Sequence, residues 1–323
     1  HYPLRRQRQM CIRDRLMIAE FIQFSLTPIL IGILAGISCA VPGNFLILKR
    51  QALIGDAISH VVLPGIVIAF IFTGVVSTIP MLLGAAAAAI VAVLLIEVIK
   101  RFGKIEPGAA MGVVFTGMFA FGVLVLEQTD TSKVHLDVEH ALMGNLESLI
   151  WLKAEGWQSL FDLDALRVLP DELFRITFVC GFILFLTIVF WRWLKIVTFD
   201  EAYAKTIGIR SSLISFSLVI ITAVAAVAAF ESVGSIIVIA MFICPPAAAR
   251  LMTNNLGIQV IWSIVFAILS AIFGYIIAGY GPLWFGRENA VSAAGMIAVV
   301  SGIILMFTCI YGPYRESVGQ KKD

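Results

Sequence analysis

Asp56 and His60 stand four residues apart in GDAISHVVLPG (55–65), within a run of otherwise apolar and small residues. On a helix that spacing places the carboxylate and the imidazole on one face, one turn apart. Ionisable groups in a hydrocarbon setting are expensive and usually face a bundle interior or a water-filled path. A carboxylate with an imidazole is also a partial ligand set for a divalent transition metal. The alternative is a histidine satisfied by a neighbouring helix. Pro64 follows His60 by four residues and has no N–H to offer the His60 carbonyl, which predicts a kink and a freed acceptor beside the imidazole. Pro245 and Pro246 in CPPAAAR do the same to the carbonyls of Met241 and Phe242, where a packing kink is the expected role.

The elements that must position these groups are membrane spans. Hydrophobic residues make up 60% of the chain and charged residues 14%, with a mean hydropathy of +0.99. A soluble domain carries about 25% charged residues, so the chain reads as an all-α polytopic membrane protein. Spans of about 20 apolar residues fall near 25–47, 54–76, 79–99, 108–128, 173–196, 211–231, 233–252, 257–279 and 289–311, about nine in all. Pro42-Gly43 interrupts the first and predicts a bend. The stretch 140–152 is too short to cross. The five cysteines have no metal-ligand spacing, and those in apolar stretches act as small hydrophobes. A net charge of +2 with no basic patch gives no sign of nucleic-acid binding, and no GxxxxGK[ST] loop is present.

Lysine and arginine set the sidedness. In the nine-span reading, thirteen of them fall in connections on one side, Lys49, Lys100, Arg192, Lys205 and Arg250 among these. Five fall on the other side. The C-terminus is then cytoplasmic, 313–323 is a cytoplasmic tail, and the acidic connection 127–172 faces outward. Residues 1–16, with five arginines and no apolar core, are no secretory signal. A basic arm on the membrane surface is one reading; the favoured one is a non-native or disordered leader, with Met17 as the start of a single transmembrane domain over 17–312.

Small residues are dense in the spans: Gly32 and Gly36 form one GxxxG, Gly108 and Gly112 another, and Gly84 precedes five alanines. Such faces bring membrane helices close, and one of them could be a subunit interface. On the cytoplasmic side, FDEAYAKTIGIR (199–210) has Phe199, Ala202, Tyr203 and Ile207 at helical spacing among Asp200, Glu201 and Lys205. That pattern suits a short surface helix able to dock a partner or to fold back on the bundle.

Together these stretches resemble the permease subunits of bacterial zinc/manganese/iron ABC importers, related in fold to vitamin B12 and siderophore permeases. NFLILKRQALIGDAISHVVLPG (44–65), EHALMGN (139–145), 199–210 and VGSIIVIAMFICPPAAAR (233–250) carry the likeness. The resemblance implies that Asp56 and His60, with His140 at the outer mouth, line a metal path. It also implies that a coupling helix involving Phe199, Asp200, Glu201, Ala202, Lys205 and Gly208 meets a separate cytoplasmic ATPase. Further implications are a second permease subunit (the same chain or a paralogue), an extracytoplasmic metal-binding protein, a bacterial inner-membrane location and no permanent cofactor. The cargo would be Zn2+, Mn2+ or Fe2+, and the chain itself would not be an enzyme. Two departures stand out: 150–172 is about twenty residues longer than the family pattern, and AVSAAGM (290–296) lacks the expected proline.

The rival readings are a secondary transporter or channel for divalent cations, and a permease of the same fold for a metal chelate. The first would need its own coupling-ion site in repeated halves. Glu97, Glu127 and Glu231 lie near span ends, where charge is cheap. An intramembrane hydrolase would need a nucleophile motif or a closed ligand set, and the sequence has neither.

Overall fold

A computed structural model describes residues 21–74, 78–128, 146–153, 156, 159, 162–284 and 291–313. Every regular element among them is helical. A π-helical turn (Ile22–Leu26) leads into α1 (Thr27–Leu48), followed by α2 (Leu53–Thr73), α3 (Thr78–Gly103) and α4 (Pro107–Gln128). A 3-10 turn (Leu146–Ser148) and the short α5 (Leu163–Leu166) precede α6 (Asp171–Val189), α7 (Trp191–Phe199) and α8 (Glu201–Thr206). The chain closes with α9 (Ser211–Val233), α10 (Ser235–Met252), α11 (Leu256–Trp284) and α12 (Ala293–Tyr311).

Among the described residues, eight segments are long and apolar enough to cross a bilayer. The 21 residues of α2 make a ninth helix of crossing length, about 31 Å at 1.5 Å per residue. α1 lies at the centre, packed against α6, α9, α10 and α11. The periphery shows what lipid would wet: Phe178 and Phe185 on α6 are 75% and 61% exposed, and Leu83, Ile90, Leu94 and Val98 form an exposed face of α3.

The prolines do not end their helices. α1 continues through Pro42, α2 through Pro64, and α10 through Pro245 and Pro246. Glycines opposite them explain the tight fit. A Cβ on Gly122 of α4 would lie 2.8 Å from Pro64 Cδ, and one on Gly43 would lie 2.5 Å from the carbonyl oxygen of Phe242 and 3.0 Å from Pro246 Cγ. The carbonyl left without an amide donor by Pro246 thus faces the Cα hydrogens of Gly43. Of the two GxxxG pairs, Gly32 and Gly36 pack internally on α10, α11 and α12, whereas Gly108 and Gly112 have open space beside them.

The two ends of the bundle differ. At the acidic end, Trp151 is buried with Ile22 and Ala165; its amide donates to Gln23 O at 2.9 Å and its indole N–H to Ala165 O at 2.8 Å. The longer 150–172 segment therefore folds, in its described part, as a cap on the entry to α1. Glu147 accepts from the Ala293 amide at 2.6 Å and Ser292 from Gly295 at 3.5 Å, so α12 starts without the missing proline. The basic end gathers Lys49, Lys100 and the α7–α8 segment around one cavity.

Candidate functional site

α2 starts at the basic end, so Asp56 lies in its first turn and His60 one turn further in. The backbone through both is helical, which puts the pair on one face as the spacing predicts. The Asp56 side chain lies outside the described residues. His60 is half-buried, with ring centroids 4.9 Å from Phe115 and 5.5 Å from Phe119 of α4. Those two rings fix the imidazole plane against α4. His140 lies outside the described residues. Among the described residues, no three His, Cys, Asp or Glu side chains form a group able to hold a metal ion. A pair on one helix supplies at most a partial ligand set, fit for transient binding.

Three close approaches hold α2 in place. Gly55, beside Asp56, is pressed to the Phe242 ring of α10, where a Cβ would come within 2.7 Å. Gly65 and Gly84 bring the α2 and α3 backbones together, and Pro64 seats on Gly122. Helices approach this closely only through such small residues.

At the basic end, α8 forms as a separate turn and a half. Asp200 caps it, accepting from the Tyr203 amide at 2.8 Å. Tyr203, Ile207 and Phe199 are each about half exposed, and Ala202 is exposed, whereas Ala204 is fully buried. The buried face of α8 is thus carried by Ala204, a residue that the apolar spacing in the sequence did not pick. Gly208 closes α8 at φ +79°, a conformation that favours glycine. Lys205 pairs with Glu201 at 3.2 Å, and Ser211 donates to Glu201 at 3.1 Å. The Lys205 hydrogen bond, foremost, holds the Glu201 carboxyl below its usual range.

Sequence reasoning passed over Lys49 and Asn44. Lys49 ends α1 and donates to Ser215 Oγ of α9 at 2.5 Å. Burial pushes its ammonium below the usual lysine range; Glu201 opposes that push and Lys100 adds to it. Asn44 is fully buried and donates to Ser263 Oγ at 2.7 Å and Ala40 O at 2.8 Å, while accepting from Gln259 at 3.0 Å. This amide cluster ties α1 to α11. The only signal in the sequence was a polar residue directly after Pro42-Gly43.

Comparison with known proteins decides the family: the profile of the ABC 3 transport family matches residues 21–151 and 152–312. The chain belongs to the ABC 3 transport family. Within this family it is 36% identical over 290 residues to the manganese transport system membrane protein MntD of Bacillus subtilis, covering 90% of this chain and 92% of that one. It is 31% identical over 296 residues to the zinc transport system membrane protein TroC of Treponema pallidum, covering 91% of each. The fold matches PsaBC from Streptococcus pneumoniae, solved in complex with a Fab, with a TM-score of 0.74 at 26% identity, over 95% of this chain and 99% of that chain. The ABC 3 membership and the spanning helices make this a multi-pass membrane protein of transport.

Proposed function

We propose that this chain is the permease of an ATP-driven importer of a divalent transition metal in the bacterial inner membrane. Asp56 and His60 act as transient ligands on the path, with His140 at the outer mouth. Two permeases pair, an external metal-binding protein delivers the ion, and a cytoplasmic ATPase docks on 199–210. The single observation that carries the reading is the Asp56/His60 pair on one face of α2, in a chain of the ABC 3 transport family. The relatives named for manganese and for zinc support a metal cargo, and one Asp/His pair suits either ion or ferrous iron. Each ligand must bind and also release, so a two-group site is better matched to passage than a closed four-ligand cage.

The test is uptake into proteoliposomes holding the permease, its ATPase and the binding protein, with zinc, manganese and ferrous iron in competition. Accumulation that needs ATP and the binding protein is expected. Flux that needs neither would make the chain a channel or secondary transporter and remove the docking role of α8.

A further inference from the structure

The cavity at the basic end, about 690 Å³, is mixed in charge and reaches the start of α2 at Gln51 and Ile54. Two ammonium groups (Lys49, Lys100) and two carboxylates (Glu97, Glu201) line it beside Ser215. Two like cations and two carboxylates suit neither a bare metal ion nor a simple anion. They suit a ligand that carries both signs. Lys49 spends one donor on Ser215 and Lys100 one on Glu97 at 2.9 Å, leaving each ammonium further N–H groups, while Glu201, already held by Lys205 and Ser211, keeps acceptor capacity on its carboxylate.

The cavity does not stop at the charged groups. Val93 of α3 and Phe216 of α9 belong equally to a second, almost wholly apolar groove of about 240 Å³ between those helices, with Ile90, Ile220 and Val224 along it. From Val93 to Leu83 it follows α3 for about 15 Å at 1.5 Å per residue. Counted from Lys100, Leu83 is about 25 Å deep, so cavity and groove together run most of the way across a core of about 30 Å, and Arg175 of α6, paired with Glu231, lines the far end. α7 marks the depth of the polar part. Its Trp193 is exposed and its Arg192 and Lys195 flank it, the residue types that sit at headgroup level. The basic end is the cytoplasmic one by the distribution of lysine and arginine.

We infer that this cavity and groove bind one inner-leaflet phospholipid whose headgroup carries a phosphate and a primary ammonium. The phosphate meets Lys49 and Lys100, the ammonium meets Glu97 and Glu201, and an acyl chain lies between α3 and α9. Because Glu201 belongs to α8, the lipid rests against the segment that would dock the ATPase.

Native mass spectrometry of the full chain in mild detergent tests this. The chain is stripped of lipid and exposed separately to phosphatidylethanolamine, phosphatidylcholine, phosphatidylglycerol and inorganic phosphate. One phosphatidylethanolamine per chain is expected to survive. Phosphatidylcholine is weaker, since its quaternary ammonium cannot donate to carboxylates, and phosphatidylglycerol is weaker because it has no ammonium. Lys100→Gln should lower retention about fivefold, the loss of one basic group at a lipid surface. Val224→Trp, at an exposed position in the groove, should abolish it and does not depend on a buried charge. Equal retention of all three lipids, competition by inorganic phosphate, unchanged retention in both variants, or displacement by added ATPase would each overturn the assignment. The readout is lipid mass and not metal uptake, so its failure leaves the importer proposal untouched.

Discussion

Single residues decide how α2 is held and what it can bind. Asp56→Ala and His60→Ala are each expected to abolish metal uptake in proteoliposomes while the complex with the ATPase still forms. Normal uptake in both variants would remove these residues from the path. Gly43→Ala tests packing instead of ligation. Its Cβ would meet the backbone carbonyl of Phe242, which cannot swing aside as a side chain can. A loss of about 1–3 kcal/mol is expected, as for overpacked cores, visible as a lower melting temperature in detergent.

Among the elements, α8 is the one held by few contacts and much polar chemistry. Asp200→Ala removes its N-cap, a change of about 1 kcal/mol for a helix start, and should weaken retention of the ATPase without changing metal competition. Gly208→Pro is expected to detach or uncouple the ATPase more strongly, since proline cannot adopt φ +79°. The depressed Glu201 carboxyl gives α8 a pH dependence of known sign. Its folded value lies below its unfolded one, so its contribution is complete above the unfolded value and is lost as pH falls through the folded value. Pull-down of the ATPase should therefore weaken in acid, and Glu201→Gln should flatten that part of the profile. A variant as acid-sensitive as the wild type would place the titration elsewhere.

At the scale of the whole molecule, most of the architecture was legible, because a bilayer leaves a chain few options. The apolar runs of spanning length are helical wherever they are described, with the boundary between 211–231 and 233–252 falling at Gly234, but 173–196 divides at Phe190 into α6 and α7. Positions within the spans were less legible. Hydropathy gives which residues lie in the membrane and says nothing of which helix they face. The prolines at 42, 64 and 245–246 read as bends or kinks, and the structure sets glycines of neighbouring helices against Pro64 (Gly122) and Pro246 (Gly43), which no local pattern announces. Lys49 counted only as a positive charge on one side, since its depth depends on α9 lying alongside. The Asp56/His60 spacing was legible as one helical face, whereas Phe115 and Phe119 are remote in sequence and invisible to it. The longer 150–172 segment was an open departure, and its Trp151 turns out to seal the acidic end. Trp151→Ala should cost about 3–5 kcal/mol, and thermal unfolding would show it.

The three glycine approaches on α2 constrain how the molecule can move. Gly55 bears on α10, Gly65 on α3, and Pro64 on α4 through Gly122. Sliding α2 along its own axis, or turning it, would drive bulkier neighbours into all three contacts together. A slip of α2 past its partners is therefore opposed at three points, and α2 is expected to move together with α3, α4 and α10, with α1 joined to them through Gly43 against Phe242.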